Sequence, residues 1–254
     1  MTCTSASVLY AERSLKAAGS TLTSVNTGTT TFITSVRGIV CGNMKRKWVG
    51  QMKTLIAVPC QDFVWTEFVK SFIELERDEN TAYTFITGTL IYEGRNLIAK
   101  NAISYCFDRV LWIDSDMIVP ADALKRLSAD LDTGKDYVTA LYYGRKPPHN
   151  PIISNDVVWK VENNEVTTGA TSYKDFPKDQ VFEINGSGFG CVMTSVELLK
   201  DVTERYGAPF TPLMGLGEDY AFCWRVAQIG RKMYCDSRIK CGHLGLCEYR
   251  GKDA

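Results

Sequence analysis

The chain has 254 residues, 45% hydrophobic and 23% charged, which is enough apolar material for one globular domain with its own core. Twenty-nine basic residues balance 29 acidic ones, so no overall field draws the protein to nucleic acid or to a membrane surface. No apolar run approaches the roughly 18–20 residues needed to cross a bilayer, and no transmembrane segment is expected. The nine cysteines are odd in number and include no C-x-x-C pair, which speaks against a disulfide framework. Reduced thiols and a cytoplasmic location are the corresponding expectation.

Residues 1–43 are rich in Ser and Thr and carry Glu12 as their only acid. They read as a disordered or dispensable extension, with a targeting segment as the alternative. A folded domain is expected over residues 53–250. It opens with the apolar run "TLIAVPC" (Thr54 to Cys60), suited to a buried parallel strand. Val64, Phe68, Phe72 and Leu75 then recur at helical spacing, and "YTFIT" (Tyr83 to Thr87) reads as the next strand. Beyond Gly94, the residues Ile98, Ala102 and Tyr105 form a second apolar helical face.

"RVLWID" is a further buried strand, followed by a helix predicted to start at Pro120 with Leu124, Leu127 and Leu131 as its stripe. "DYVTALYYG" (Asp136 to Gly144) is again strand-like, whereas residues 147–180 are polar and give no clear period. Ser195 stands at the start of another helix. "GLGEDYAFCWRVAQIG" puts Glu218 and Asp219 in the first turn of a helix with Phe222, Cys223 and Val226 as its stripe. A strand over "KMYCDSRIKCGH" ends on His243, one of only two histidines. Alternation of this kind predicts an α/β fold with an open, mostly parallel sheet and helices on both faces.

In such a sheet ligands gather beyond the carboxyl ends of the strands, where "DSD" (Asp114 to Asp116) falls. On a continuing strand Asp114 and Asp116 share one side, with Ser115 opposite. Two like charges so placed are either solvated in a loop or held by a cation, and Mg²⁺ or Mn²⁺ suits oxygen ligands. Acids at a helix start, such as Glu218 and Asp219, also favour the macrodipole without any ligand. "NGSGFG" (Asn185 to Gly190) is not the G-x-G-x-x-G dinucleotide pattern.

The order of "TLIAVPC", "GRNLIAKNA", "WIDSDM", "NGSGFGCVMTS", "GEDYAFCWR" and "GHLG" resembles the glycosyltransferases of the GT-A (Rossmann-like) fold over about residues 54–245. The nearest likeness is to the small single-domain members of the broad inverting group of bacteria and phages. The resemblance implies a metal-dependent transferase that moves a sugar from a nucleotide-sugar donor to an acceptor hydroxyl. It implies Asp116, Asp114 and His243 as metal-site residues for Mn²⁺ or Mg²⁺, with Asp219 as the base and Glu218 a second candidate. Donor contacts are implied for Pro59, Asp62, Arg95, Asn96, Asp114, Ser115 and Gly188. The acceptor could be a glycan, a lipid-linked sugar or a protein, and no nucleic-acid partner is implied. The stretch "PCQD" departs from the family pattern where base and ribose are received, leaving the base open. A nucleotidyltransferase or a retaining glycosyltransferase is the alternative. Cys235, Cys241, His243 and Cys247 could form a zinc site by residue type, although their spacing fits no usual pairing.

Overall fold

A computed structural model describes residues 52–60 and 63–245, together with the backbone of two short strands, β1 (Leu22–Thr27) and β2 (Thr30–Ser35). Asp62, Cys247 and most of the Ser/Thr-rich stretch lie outside the described residues. The domain proper opens with β3 (Thr54–Pro59), α1 (Thr66–Glu74), β4 (Thr81–Ile86) and α2 (Ile91–Ser104). β5 (Arg109–Ile113), the short β6 (Met117–Ile118), α3 (Ala123–Leu131) and β7 (Tyr137–Leu141) follow. A long hairpin, β8 (Ile153–Glu162) and β9 (Glu165–Ser172), then leads to β10 (Val181–Ile184) and β11 (Gly186–Ser187). The chain closes with β12 (Cys191–Ser195), α4 (Val196–Tyr206), α5 (Glu218–Gln228), β13 (Met233–Lys240) and β14 (Gly242–His243).

The main sheet has the order β1-β2-β4-β3-β5-β12-β7-β13-β10. Strands β4, β3, β5, β7 and β13 run one way, while β12 and β10 run against them. The sheet is therefore mostly parallel and covered by helices on both faces, as the alternating sequence pattern predicts. Strict alternation along β5 divides the core. Val110 and Trp112 pack with the side of α2, α4 and α5, and Leu111 and Ile113 with the side of α1 and α3. Full burial of each such side chain stabilises the fold by about 1.5–3 kcal/mol.

On the first face Trp112, Phe189, Phe210 and Phe222 form one aromatic cluster, with Phe210 stacked on Phe222 at 4.6 Å between ring centroids. That stack presses the start of α5 against the sheet. Ser195 caps α4 as its sequence position predicts, its Oγ accepting from Leu198 N–H at 3.0 Å.

Three local expectations are corrected. The helix predicted from Pro120 begins at Ala123, because the Met117–Ile118 strand pairs with Gly242–His243 and keeps the chain extended up to a turn at Pro120. Tyr105 caps α2 on the exposed side, while Ile98 and Ala102 alone bury the expected face. The strand read as ending on His243 breaks at Cys241, so β13 and β14 belong to different sheets. The unreadable segment 147–180 holds the β8–β9 hairpin, which turns on Asn163 and Asn164, both at positive φ.

Trp112 donates its indole N–H to Thr194 Oγ1 at 3.0 Å across the buried β5–β12 pair. Thr194→Val keeps the shape and removes the acceptor, so it should cost about 1–3 kcal/mol in urea unfolding. A change within a few tenths of a kcal/mol would show that the indole finds another partner.

Candidate active site

Carboxyl ends of β3 and β5 lie side by side, and the connections from them leave in opposite directions across the sheet. This is the kind of crevice where open α/β sheets receive ligands. Pro59 closes β3, buried there, and the Asp114–Asp116 step follows β5. The step is a turn and not a continued strand, since Met117 N–H bonds back to Asp114 O at 3.1 Å. Ser115 stands at its bend. The two carboxylates consequently diverge, which corrects the strand reading that put them on one side.

Asp114 pairs with Arg95. That arginine stands in the second turn of α2 and is 2% exposed. Its Nη2 donates to Asp114 Oδ1 at 2.7 Å and its Nη1 to Glu218 Oε1 at 2.7 Å. The guanidinium also lies over the Phe189 ring, 5.1 Å from its centroid. One buried cation therefore ties the end of β5 to the start of α5. Asn96, its neighbour in sequence, takes a different course: its side-chain oxygen accepts from Phe210 N–H at 2.8 Å and fixes the aromatic cluster.

Asp116 has a different set of partners, His243 and Arg145. His243 Nε2 lies 3.6 Å from Asp116 Oδ2, and Arg145 Nη1 donates to the same oxygen at 3.0 Å. His243 is oriented through Nδ1, 2.8 Å from Tyr143 O. Burial works against ionisation of Asp116, but His243 and Arg145 outweigh it and hold the carboxyl below its usual range. Asp116 in turn raises the His243 pKa, against the effect of burial. The 3.6 Å gap is too long for a hydrogen bond and shorter than two metal–ligand bonds of about 2.1 Å end to end, so one divalent cation can touch both atoms. Among the described residues no three His, Cys, Asp or Glu side chains converge on a point. The Asp116 carboxylate is the kind of donor that suits Mg²⁺ or Mn²⁺, with the His243 imidazole as a softer second donor. The zinc alternative does not fit: Cys235 and Cys241 pack on opposite faces of the sheet.

Asp219 occupies a third position. Burial first, then the neighbouring Glu218 charge, push its carboxyl up to about 6, with Arg95 pulling the other way. Its Oδ1 accepts from Tyr220 N–H at 2.7 Å. Gly188 faces the other oxygen, and a Cβ there would stand 3.4 Å from Asp219 Oδ2 and collide with Tyr142 Oη. Glycine at 188 is thus required by close approach. Tyr142 joins the two halves, because its Oη accepts from Gly190 N–H at 3.1 Å and its ring meets His243 edge-on at 5.4 Å.

Beside α5 rises the β8–β9 hairpin. Trp159 Nε1 donates to Met214 O at 3.2 Å, the Trp159 ring meets Trp224 at 5.2 Å, and Tyr220 Oη lies 3.2 Å from Ser154 Oγ. Gly215, at φ +82°, lets the loop before α5 pass under Thr168. Arg145, Tyr142 and Trp159 are site residues that the sequence did not single out. The sole signal was the "GRK" that follows a strand end, one cluster among many basic residues.

No family model matches the sequence, and no curated protein matches it. Solved structures do. The crystal structure of A197 from STIV superposes with a TM-score of 0.57 at 17% identity, over 77% of this chain and 87% of that one. A second, GalNAc-T7 with UDP, GalNAc and Mn²⁺, superposes with a TM-score of 0.52 at 10% identity, over 78% of this chain and 44% of that one. The fold is GT-A. At these identities the likeness concerns the fold alone. Within this GT-A domain no helix among the described residues is long and apolar enough to cross a membrane.

Arg95→Met should lower stability by about 3–5 kcal/mol, since it leaves Asp114 and Glu218 facing each other without their cation. Equilibrium denaturation measures this. A loss below about 1 kcal/mol would mean that the two acids are solvated independently of Arg95.

Proposed function

We propose that the protein is a metal-dependent glycosyltransferase that moves a sugar from a nucleotide-sugar donor to an acceptor hydroxyl with inversion. The observation that carries this reading is the meeting, in one strand-end crevice, of the Asp116–His243 pair with Asp219, joined across Tyr142. Asp116 and His243 would hold Mn²⁺ or Mg²⁺. When bound, the cation offsets charge on the departing diphosphate.

Asp219 is assigned as the base that takes the proton from the acceptor oxygen as that oxygen attacks the anomeric carbon. Its Oδ1 accepts from Tyr220 N–H, and its Oδ2 lies toward the side-chain-free Gly188. A carboxyl held near 6 is ionised at neutral pH yet basic enough to accept a proton in the transition state. Glu218, the other candidate, is engaged by Arg95 and is assigned to holding the site together. The same ion pair gives Arg95 and Asp114 an architectural role beside the donor. Pro59 and Ser115 border the crevice where the nucleotide would lie, and the hairpin with Trp159 would form the acceptor-side wall.

Asp219→Asn should lower the transfer rate by about 10²–10⁴-fold while donor affinity stays within a few-fold, with released nucleoside diphosphate as the readout. In the unsubstituted enzyme kcat/KM should rise with pH and level off above about 6, because protonation below that value removes the base. Release of pyrophosphate in place of nucleoside diphosphate would favour the nucleotidyltransferase alternative. An acid limb that persists in the Asn variant would remove Asp219 from the role.

A further inference from the structure

We propose that Arg145 serves two sites in turn: it neutralises Asp116 in the free protein and binds the donor's diphosphate once a divalent cation has taken its place. This rests on the metal–diphosphate reading of the Asp116–His243 pair. Arg145 Nη1 sits 3.0 Å from Asp116 Oδ2, the same oxygen that faces His243 Nε2 at 3.6 Å. A cation shared by those two atoms must compete with the guanidinium for one carboxylate oxygen.

Arg145 is free to yield. Its side chain is 52% exposed, and its ion pair is of the weak surface kind. Yet its stem is anchored next to the site, because Gly245 packs so closely on it that a Cβ there would approach Cδ to 2.9 Å. The displaced guanidinium therefore stays beside the cation, where two positive charges repel unless an anion lies between them. A diphosphate carries that charge and offers pairs of oxygens to the planar fork of an arginine. Cation and diphosphate should then bind cooperatively, each strengthening the other by the same factor.

Arg145→Gln is the test, with Mn²⁺ alone measured by electron paramagnetic resonance of the free ion. UDP, GDP, CDP and dTDP, each with and without saturating Mn²⁺, are measured by thermal shift. Removing the competitor should tighten binding of Mn²⁺ alone by about two- to fivefold. Loss of a charge-assisted contact should weaken manganese-dependent nucleotide binding by about tenfold or more. If the unsubstituted protein binds both and the variant leaves either affinity unchanged, or weakens both, Arg145 has no such double role and the site reading stands. If the unsubstituted protein binds neither Mn²⁺ nor any of the four nucleotides with it, the metal–diphosphate reading fails and this proposal fails with it.

Discussion

A guanidinium buried to 2% exposure organises this domain's working end. Arg95 reaches from α2 to two acids, Asp114 in the turn after β5 and Glu218 at the first position of α5. Taking one cation and two carboxylates partly out of water is unfavourable unless the geometry is close, and both contacts are 2.7 Å. The result is a fixed relation between the end of β5 and the start of α5. Asp116, two residues after Asp114, and Asp219, next after Glu218, inherit their positions from it.

The acidic step thus divides its labour. Asp114 pairs with Arg95 and holds the frame, while Asp116 is left to His243 and Arg145. Tyr142 completes the arrangement by packing against Gly188 and Gly190 on one side and His243 on the other. Side chains there would push Tyr142 away from the start of α5 and from β6. The two glycines are needed for proximity, and neither has positive φ.

Much of this was readable in the sequence because apolar period and strand burial coincide. The runs at Thr54 and Arg109 are buried throughout, and Phe222, Cys223 and Val226 all face the core as their spacing predicts. The hairpin escaped notice because most of its residues are exposed on both faces, so no alternation marks it. Arg95 and Asn96 look alike as polar residues at a helix start, but one binds acids and the other a backbone N–H. Their difference depends on partners 123 and 114 residues away, and local pattern cannot carry that. Arg145 was missed for the same reason.

The division of the acidic step is the claim on which the account turns, and Asp114→Ala beside Asp116→Ala tests it most directly. Each variant is unfolded in urea and then titrated with Mn²⁺ and nucleoside diphosphates. Asp114→Ala should lower stability by about 1–3 kcal/mol, with Glu218 still pairing Arg95, whereas Asp116→Ala should change it by less than about 1 kcal/mol. Manganese-dependent nucleotide binding should be lost in Asp116→Ala. Equal effects of the two substitutions on stability, or intact manganese-dependent binding in Asp116→Ala, would contradict the claim.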